Sequence, residues 1–216
     1  KSNGANGDAF DQLELQLNEE VKLPLVASKT ALGKDAEKDP TQDQQQSVIN
    51  LYNQGNLQQA LEHAKILLQK FPDSSVLYNI CGACYKSLGQ FDEAIEAYNK
   101  ATTINPDYAE VYNNLGNALK EQGKQNEAVE AFNKATSIEP NYAEAYSNMG
   151  SVLRDQGKLE EAINACNTSL FIKPDYAAAL HNMGNALNDQ GKLDEAIKAY
   201  NQAISIKPDY AIVFNN

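Results

Sequence analysis

One stretch of the chain, residues 109–142, matches itself again when it is moved along by 34 residues. It recurs at 143–176 and 177–210, backwards at 75–108, and more loosely at 41–74. The fixed points are small or rigid residues. Gly82, Gly116, Gly150 and Gly184 form one column, and Gly55, Gly89, Gly123, Gly157 and Gly191 a second. Ala60, Ala94, Ala128, Ala162 and Ala196 form a third, and Pro72, Pro106, Pro140, Pro174 and Pro208 a fourth. A fixed period of about 20–50 residues marks a solenoid or array, in which each unit buries its apolar face only against its neighbours. The 216 residues therefore read as one repeat array rather than as one or two globular domains.

Within each repeat the apolar spacing predicts two helices. In the third, Tyr112, Leu115 and Leu119 make one stripe, and Ala128, Phe132, Ala135 and Ile138 make another. Gly123 between them reads as a helix stop, and Glu127 sits where its charge suits the start of the second helix. Pro140 cannot continue that helix and biases Glu139 away from helical geometry. Asp107-Tyr-Ala-Glu110 and Asn141-Tyr-Ala-Glu144 have the form of a capping box, whereas Asp175-Tyr-Ala-Ala178 keeps the cap and loses the acid. Gly116 and Ala128 are expected where the two helices approach closely, with Tyr112 and Phe132 filling the space beside them.

The pattern Tyr112, Leu115-Gly116, Ala128, Phe132, Ala135, Pro140 resembles the tetratricopeptide repeat, a helix–turn–helix unit of 34 residues. The resemblance covers about residues 41–210, and the repeats look most like those of the O-linked N-acetylglucosamine transferase and of bacterial arrays. The first repeat is degenerate, with Val48 in the glycine column and Gln44 in the aromatic one, yet Leu51, Gly55, Leu57, Ala60 and Pro72 keep its frame. The resemblance implies an all-α, right-handed superhelical solenoid of antiparallel helix pairs, about five units plus the start of a sixth. The first helix of each pair would line the concave surface.

Residues 1–40 do not share the period. Lys1 to Asp8 reads as a tail and Lys29 to Pro40 as a linker. Between them Phe10, Leu13, Leu17 and Val21 have helical spacing, Leu13, Leu15 and Leu17 alternate like a strand, and Pro24 ends either pattern. The segment is read as a loose tail or as an amphipathic piece that docks on the array. At the other end, residues 211–216 begin a sixth first helix. Ala196, Tyr200 and Ala203 are expected to lie uncovered there, which suggests a piece of a longer protein or coverage by another copy or by the Phe10–Val21 segment.

A net charge of −11 leaves no basic face for a nucleic-acid backbone and favours neutral or basic ligands over acidic ones. No apolar run approaches the roughly 18 residues that span a membrane. Cys81, Cys84 and Cys166 are odd in number and widely placed, which points to reduced thiols and a cytoplasmic location. An earlier-removed signal peptide stays open, because the first residue is Lys1. Cys81-Gly-Ala-Cys84 has the C-x-x-C form but lies within a helix without a second ligand pair, and Cys166 takes the place of Phe132, so all three read as small buried hydrophobes. His63 and His181 have no ligand partners at metal spacing. No metal, cofactor or catalytic constellation is indicated, and the chain reads as a non-enzyme.

The polar residues of the first helices carry the remaining information. Three columns recur: Asn114, Asn148 and Asn182; Asn117, Ser151 and Asn185; Lys120, Arg154 and Asn188. Spaced three apart, they share a helix face. Asparagine at mid-helix costs roughly half a kcal/mol per residue, and its amide matches both the N–H and the C=O of an extended peptide. This resembles the asparagine ladder lining the groove of the glycosyltransferase arrays, which implies Asn114, Asn148 and Asn182 as main-chain clamps. The alternative is that they tie helix to helix. The second repeat departs, with Ile80 in the column and Asn79 one residue earlier. A carboxylate clamp for acidic tails is disfavoured, because the matching places hold Asn113, Ser147 and His181, or the acids Glu110 and Glu144.

Three functions are consistent with these features. The first is a scaffold that holds an extended peptide or protein on its concave face through the three columns and His181. The second is the recognition arm of a larger glycosyl- or sulfotransferase, and the third is self-association through the exposed last repeat.

Overall fold

The structure, a computed structural model, describes residues 39–207. Every regular element among them is an α-helix. In chain order these are α1 (Gln42–Asn53), α2 (Leu57–Lys70), α3 (Ser75–Ser87), α4 (Phe91–Ile104), α5 (Ala109–Glu121), α6 (Gln125–Ile138), α7 (Ala143–Asp155), α8 (Leu159–Ile172), α9 (Ala177–Asp189) and α10 (Leu193–Ile206). Odd-numbered helices are the first of each pair, and the fold is the expected all-α repeat of helix pairs. The Phe10–Val21 segment and the 211–216 start of a sixth repeat lie outside the described residues.

The hinge between paired helices is a glycine. Gly123 has φ of +77°, its N–H donates to the Lys120 carbonyl at 2.8 Å, and the Lys124 N–H reaches back to the Leu119 carbonyl at 2.9 Å. This is a Schellman closure, in which a left-handed residue lets two orphan carbonyls be satisfied while the chain reverses. The same pair of bonds recurs at Gly55, Gly89, Gly157 and Gly191.

The first helices do not start as expected. Tyr108 and Tyr142, not Asp107 and Asn141, occupy the cap positions of α5 and α7, and neither helix has a side-chain cap. The capping boxes read from Asp107 and Asn141 are therefore not formed. The turn after each proline places those residues one step before the cap, and Asp107 instead donates its N–H to Asn105 Oδ1 at 3.2 Å. The box that forms is on the degenerate first repeat, where Thr41 and Gln44 exchange bonds at the start of α1.

The helices fall into two compact units, one holding α1–α6 and the other α7–α10. In each, a second helix packs on its own first helix and on the first helix of the following repeat. Successive first helices also touch: α1 with α3, α3 with α5, and α7 with α9. Tyr98, Phe132 and Cys166, all fully buried, occupy one column of the second helices and lie against the glycine of their own first helix. A Cβ on Gly116 would stand 2.7 Å from Phe132 Cε1, and one on Gly82 would stand 2.5 Å from Tyr98 Cε1. The glycine column is thus a slot for a ring. Where the ring is absent, at Gly150, a Cβ would meet Cys166 Sγ at 2.7 Å and the Ala162 carbonyl at 3.1 Å.

On α10 the stripe expected to lie uncovered is packed, with Tyr200 half-buried. Ala196 and Ala203 are buried, because that stripe faces α9, with Ala203 packed beside Ala177 and Leu180. The exposed residues are Leu193 at 59% and Ile197 at 55%. Their equivalents Phe91 and Ile95 on α4, and Leu159 and Ile163 on α8, are half-buried on helices that pack against the following first helix.

Two glycine substitutions separate the slot from the hinge. Gly116→Ala should cost about 1–3 kcal/mol by overpacking, and Phe132→Leu in the same chain should recover part of it. Gly123→Ala has open space around its new Cβ, but the left-handed backbone should cost about 1–2 kcal/mol, with no recovery from Phe132→Leu. Urea unfolding of the single and double variants measures both.

Candidate functional site

The three polar columns lie on the first helices, where the structure gives them different environments. Asn114, Asn148 and Asn182 are buried, at 4%, 6% and 3% exposure. Asn114 on α5 donates its amide to Asn79 Oδ1 on α3 at 3.0 Å, and Asn79 in turn donates to Glu110 Oε1 at 3.4 Å. Asn182 on α9 donates to both the carbonyl and the hydroxyl of Ser147 on α7, each at 3.1 Å. Both bonds run backwards by one repeat plus one residue. The asparagine of each of these helices therefore grips the residue just before the same column in the preceding repeat. Asn79 and Ser147 complete these bonds although the ladder pattern does not include them. Their signal in the sequence is that the place before the column is polar in every close repeat: Asn79, Asn113, Ser147, His181.

The second and third columns are more open on α5 than on α7. Asn117 and Lys120 are partly exposed and Asn188 is exposed, whereas Ser151 is buried. Arg154 on α7 lies 2.9 Å from Asp155 and 3.8 Å from Asp189 on α9, so its charge is met by two carboxylates across neighbouring first helices.

His181 and Asn185 belong to a buried chain on α9 that ends on α10. The Tyr200 hydroxyl donates to Asn185 Oδ1 at 2.8 Å, and the Asn185 amide meets His181 Nε2 at 3.0 Å. With its oxygen taken by Tyr200, Asn185 is the donor to the imidazole, which holds His181 in the neutral form. The rings of His181 and Tyr200 stand 5.9 Å apart. Burial, with the Arg154 cation adding to it, pulls the imidazole down to about 4. Tyr200 was not a candidate from sequence, because it reads as the ring of the glycine slot.

Burial pushes the thiols of Cys81, Cys84 and Cys166 up to about 12, so none is a ready thiolate. Among the described residues no cluster of three or more His, Cys, Asp or Glu side chains could hold a metal ion, and no helix is long and apolar enough to cross a membrane.

A TPR repeat model matches residues 82–123 and 116–153, and two tetratricopeptide repeat models match 141–209 and 46–74. The chain belongs to the tetratricopeptide repeat family. No curated protein matches it in sequence. Among solved structures, MamA is similar at 27% identity over 76% of this chain and 96% of its own, with a TM-score of 0.67. PilF of Pseudomonas aeruginosa is similar at 21% identity over 80% and 83%, with a TM-score of 0.69. YrrB, described as a TPR protein with an unusual peptide-binding site, is similar at 21% identity over 81% and 90%, with a TM-score of 0.63. The last two likenesses speak to the tetratricopeptide fold alone.

Two variants probe the buried polar contacts. Asn114→Ala removes the donor to a fully buried Asn79 and should cost about 1–3 kcal/mol in urea unfolding, with part regained in the Asn79→Ala/Asn114→Ala double variant. His181 is held neutral below its ordinary value, so the unfolded chain binds more protons in between. Stability from this group is full above about 6.5 and is lost as pH falls towards about 4, by on the order of 3 kcal/mol. His181→Asn, which installs the residue found at Asn113, should flatten that part of the stability–pH curve.

Proposed function

We propose that this tetratricopeptide array is a protein-interaction scaffold that takes an extended polypeptide along the polar face of its first helices. The observation that carries the reading is the backward grip of Asn114 on Asn79 and of Asn182 on Ser147. Each amide spends an N–H on the preceding helix and keeps its side-chain carbonyl as an acceptor for a main-chain N–H. Within each unit the grip also fixes the spacing of two first helices, α3 with α5 and α7 with α9, so a peptide would meet faces already ordered, which reduces the entropy lost on binding. In this reading Asn114, Asn148 and Asn182 position the face, while Asn117, Lys120, Arg154 and Asn188 make the more peripheral contacts. Ser151, Asn185 and His181 support it from below.

The preferred ligand is neutral or basic. The chain carries a net charge of −11, and Arg154, which would otherwise attract a carboxylate, is already met by Asp155 and Asp189. The buried, neutral His181 adds no positive charge. YrrB, which shares the fold, is described as having a peptide-binding site.

The test uses the more exposed positions, because the buried asparagines also hold the fold. Polypeptides captured from host extract by the chain should be lost by Lys120→Ala/Arg154→Ala/Asn188→Ala, with equal helicity by circular dichroism. Unchanged capture would overturn the reading.

A further inference from the structure

A cavity of about 190 Å³ opens between α2 and α4 with α3 as its floor. Tyr78, Cys81 and Tyr85 supply that floor, at i, i+3 and i+7 of one helix face. At 3.6 residues per turn this face lies roughly opposite Ile80 and Ala83, the α3 counterparts of Asn114 and Asn117. It is therefore a different surface from the polar columns.

The cavity arises where the chain departs from its own repeat. Lys65 stands where Asn99, Asn133, Asn167 and Asn201 recur. Tyr85 stands where Leu51, Leu119, Leu153 and Leu187 recur, and Cys81 where Leu115, Met149 and Met183 recur. All three departures line the one cavity. The shorter Cys81 opens the floor, and Tyr85 turns a leucine wall into an aromatic one.

The interior is carbon and the rim is charged. Leu68 and Ala97 face the two tyrosines, while Lys65 lies 5.2 Å from the Tyr85 ring centre and Lys100 5.7 Å from that of Tyr78. Lys100 is paired with Glu96 at 3.0 Å, which leaves Lys65 and Glu93 to balance the rim. Size decides what such a site can hold. Cofactor and drug-sized pockets run to about 300–1,000 Å³, whereas an apolar cavity of about 150 Å³ accepts a benzene ring. One aromatic side chain fits here and little more. Aromatic anchors in pockets of this kind carry much of the energy of protein–protein contacts.

We propose that this cavity receives a phenylalanine-sized side chain of a partner polypeptide whose flanking residues are basic. The rim itself is balanced, so the basic flank rests on the charge of the chain as a whole, −11, which steers cationic segments towards it. The site would give the array a second docking point, independent of the first-helix face.

The test titrates the full chain with three capped tripeptides, followed through the resonances of Ala97 and Tyr85. The peptides are acetyl-Lys-Phe-Lys-amide, acetyl-Lys-Ala-Lys-amide and acetyl-Glu-Phe-Glu-amide. The first should saturate, with the alanine and acidic peptides each at least about tenfold weaker. Cys81→Leu, which restores the residue of the third repeat, should reduce binding of the first peptide by about tenfold with its helicity intact. Tyr85→Leu, the residue of every other repeat, should do the same if Cys81→Leu does not fold. Equal binding by the filled variant, or by the alanine or acidic peptide, would overturn the proposal. Lys120→Ala/Arg154→Ala/Asn188→Ala should leave this titration unchanged, so failure here and failure of the first-helix reading are told apart.

Discussion

Everything in this molecule rests on how closely two helices of a pair can approach. A glycine on the first helix leaves a slot, and a ring from the second helix lies in it, as Phe132 does on Gly116 and Tyr98 on Gly82. That contact brings the small alanines of the second helix, Ala128 and Ala135 among them, to full burial. A packed interior tolerates little change in volume. At Gly150 the slot is occupied by the Cys166 thiol, which is packing material there rather than a reagent.

Once the pairs are set, the polar columns tie neighbouring pairs within each unit, α3 with α5 and α7 with α9. A single hydrogen bond adds only about 0.5–1.5 kcal/mol, so the tie is modest in energy. Its value is register: Asn114 reaches Asn79, and Asn182 reaches Ser147, only when neighbouring first helices stand in the right place. An amide that donates in this way still has an acceptor to share. The Tyr200–Asn185–His181 chain extends the theme inside the fifth repeat, where a ring of the glycine slot also donates a hydrogen bond.

Repetition also makes departures informative. A residue that breaks its own column is compared with several copies in the same chain, under nearly the same geometry. Lys65, Cys81 and Tyr85 each break a column, and the fold gathers them around one cavity although they lie on two helices. A single departure, such as Cys166 in the ring column, stays fully buried in its slot.

The sequence by itself determined the period, the helix pairs, the glycine hinges and the buried small residues, because these follow from local rules. A left-handed turn needs glycine, a stripe at helical spacing needs a partner, and a close approach needs a small side chain. Spacing alone also places Asn114, Asn117 and Lys120 on one face of their helix. Tertiary structure decided where each amide points, and so it alone supplied Asn79, Ser147 and Tyr200 as partners from other helices. It moved the helix starts from Asp107 and Asn141 to the tyrosines that follow, because the turn after the proline sets the cap one residue later than the capping-box pattern implies. It decided, too, that Leu193 and Ile197 rather than Ala196 and Ala203 are exposed on α10. The spacing shows that a helix has two apolar stripes, but only the packed neighbour determines which of them is covered.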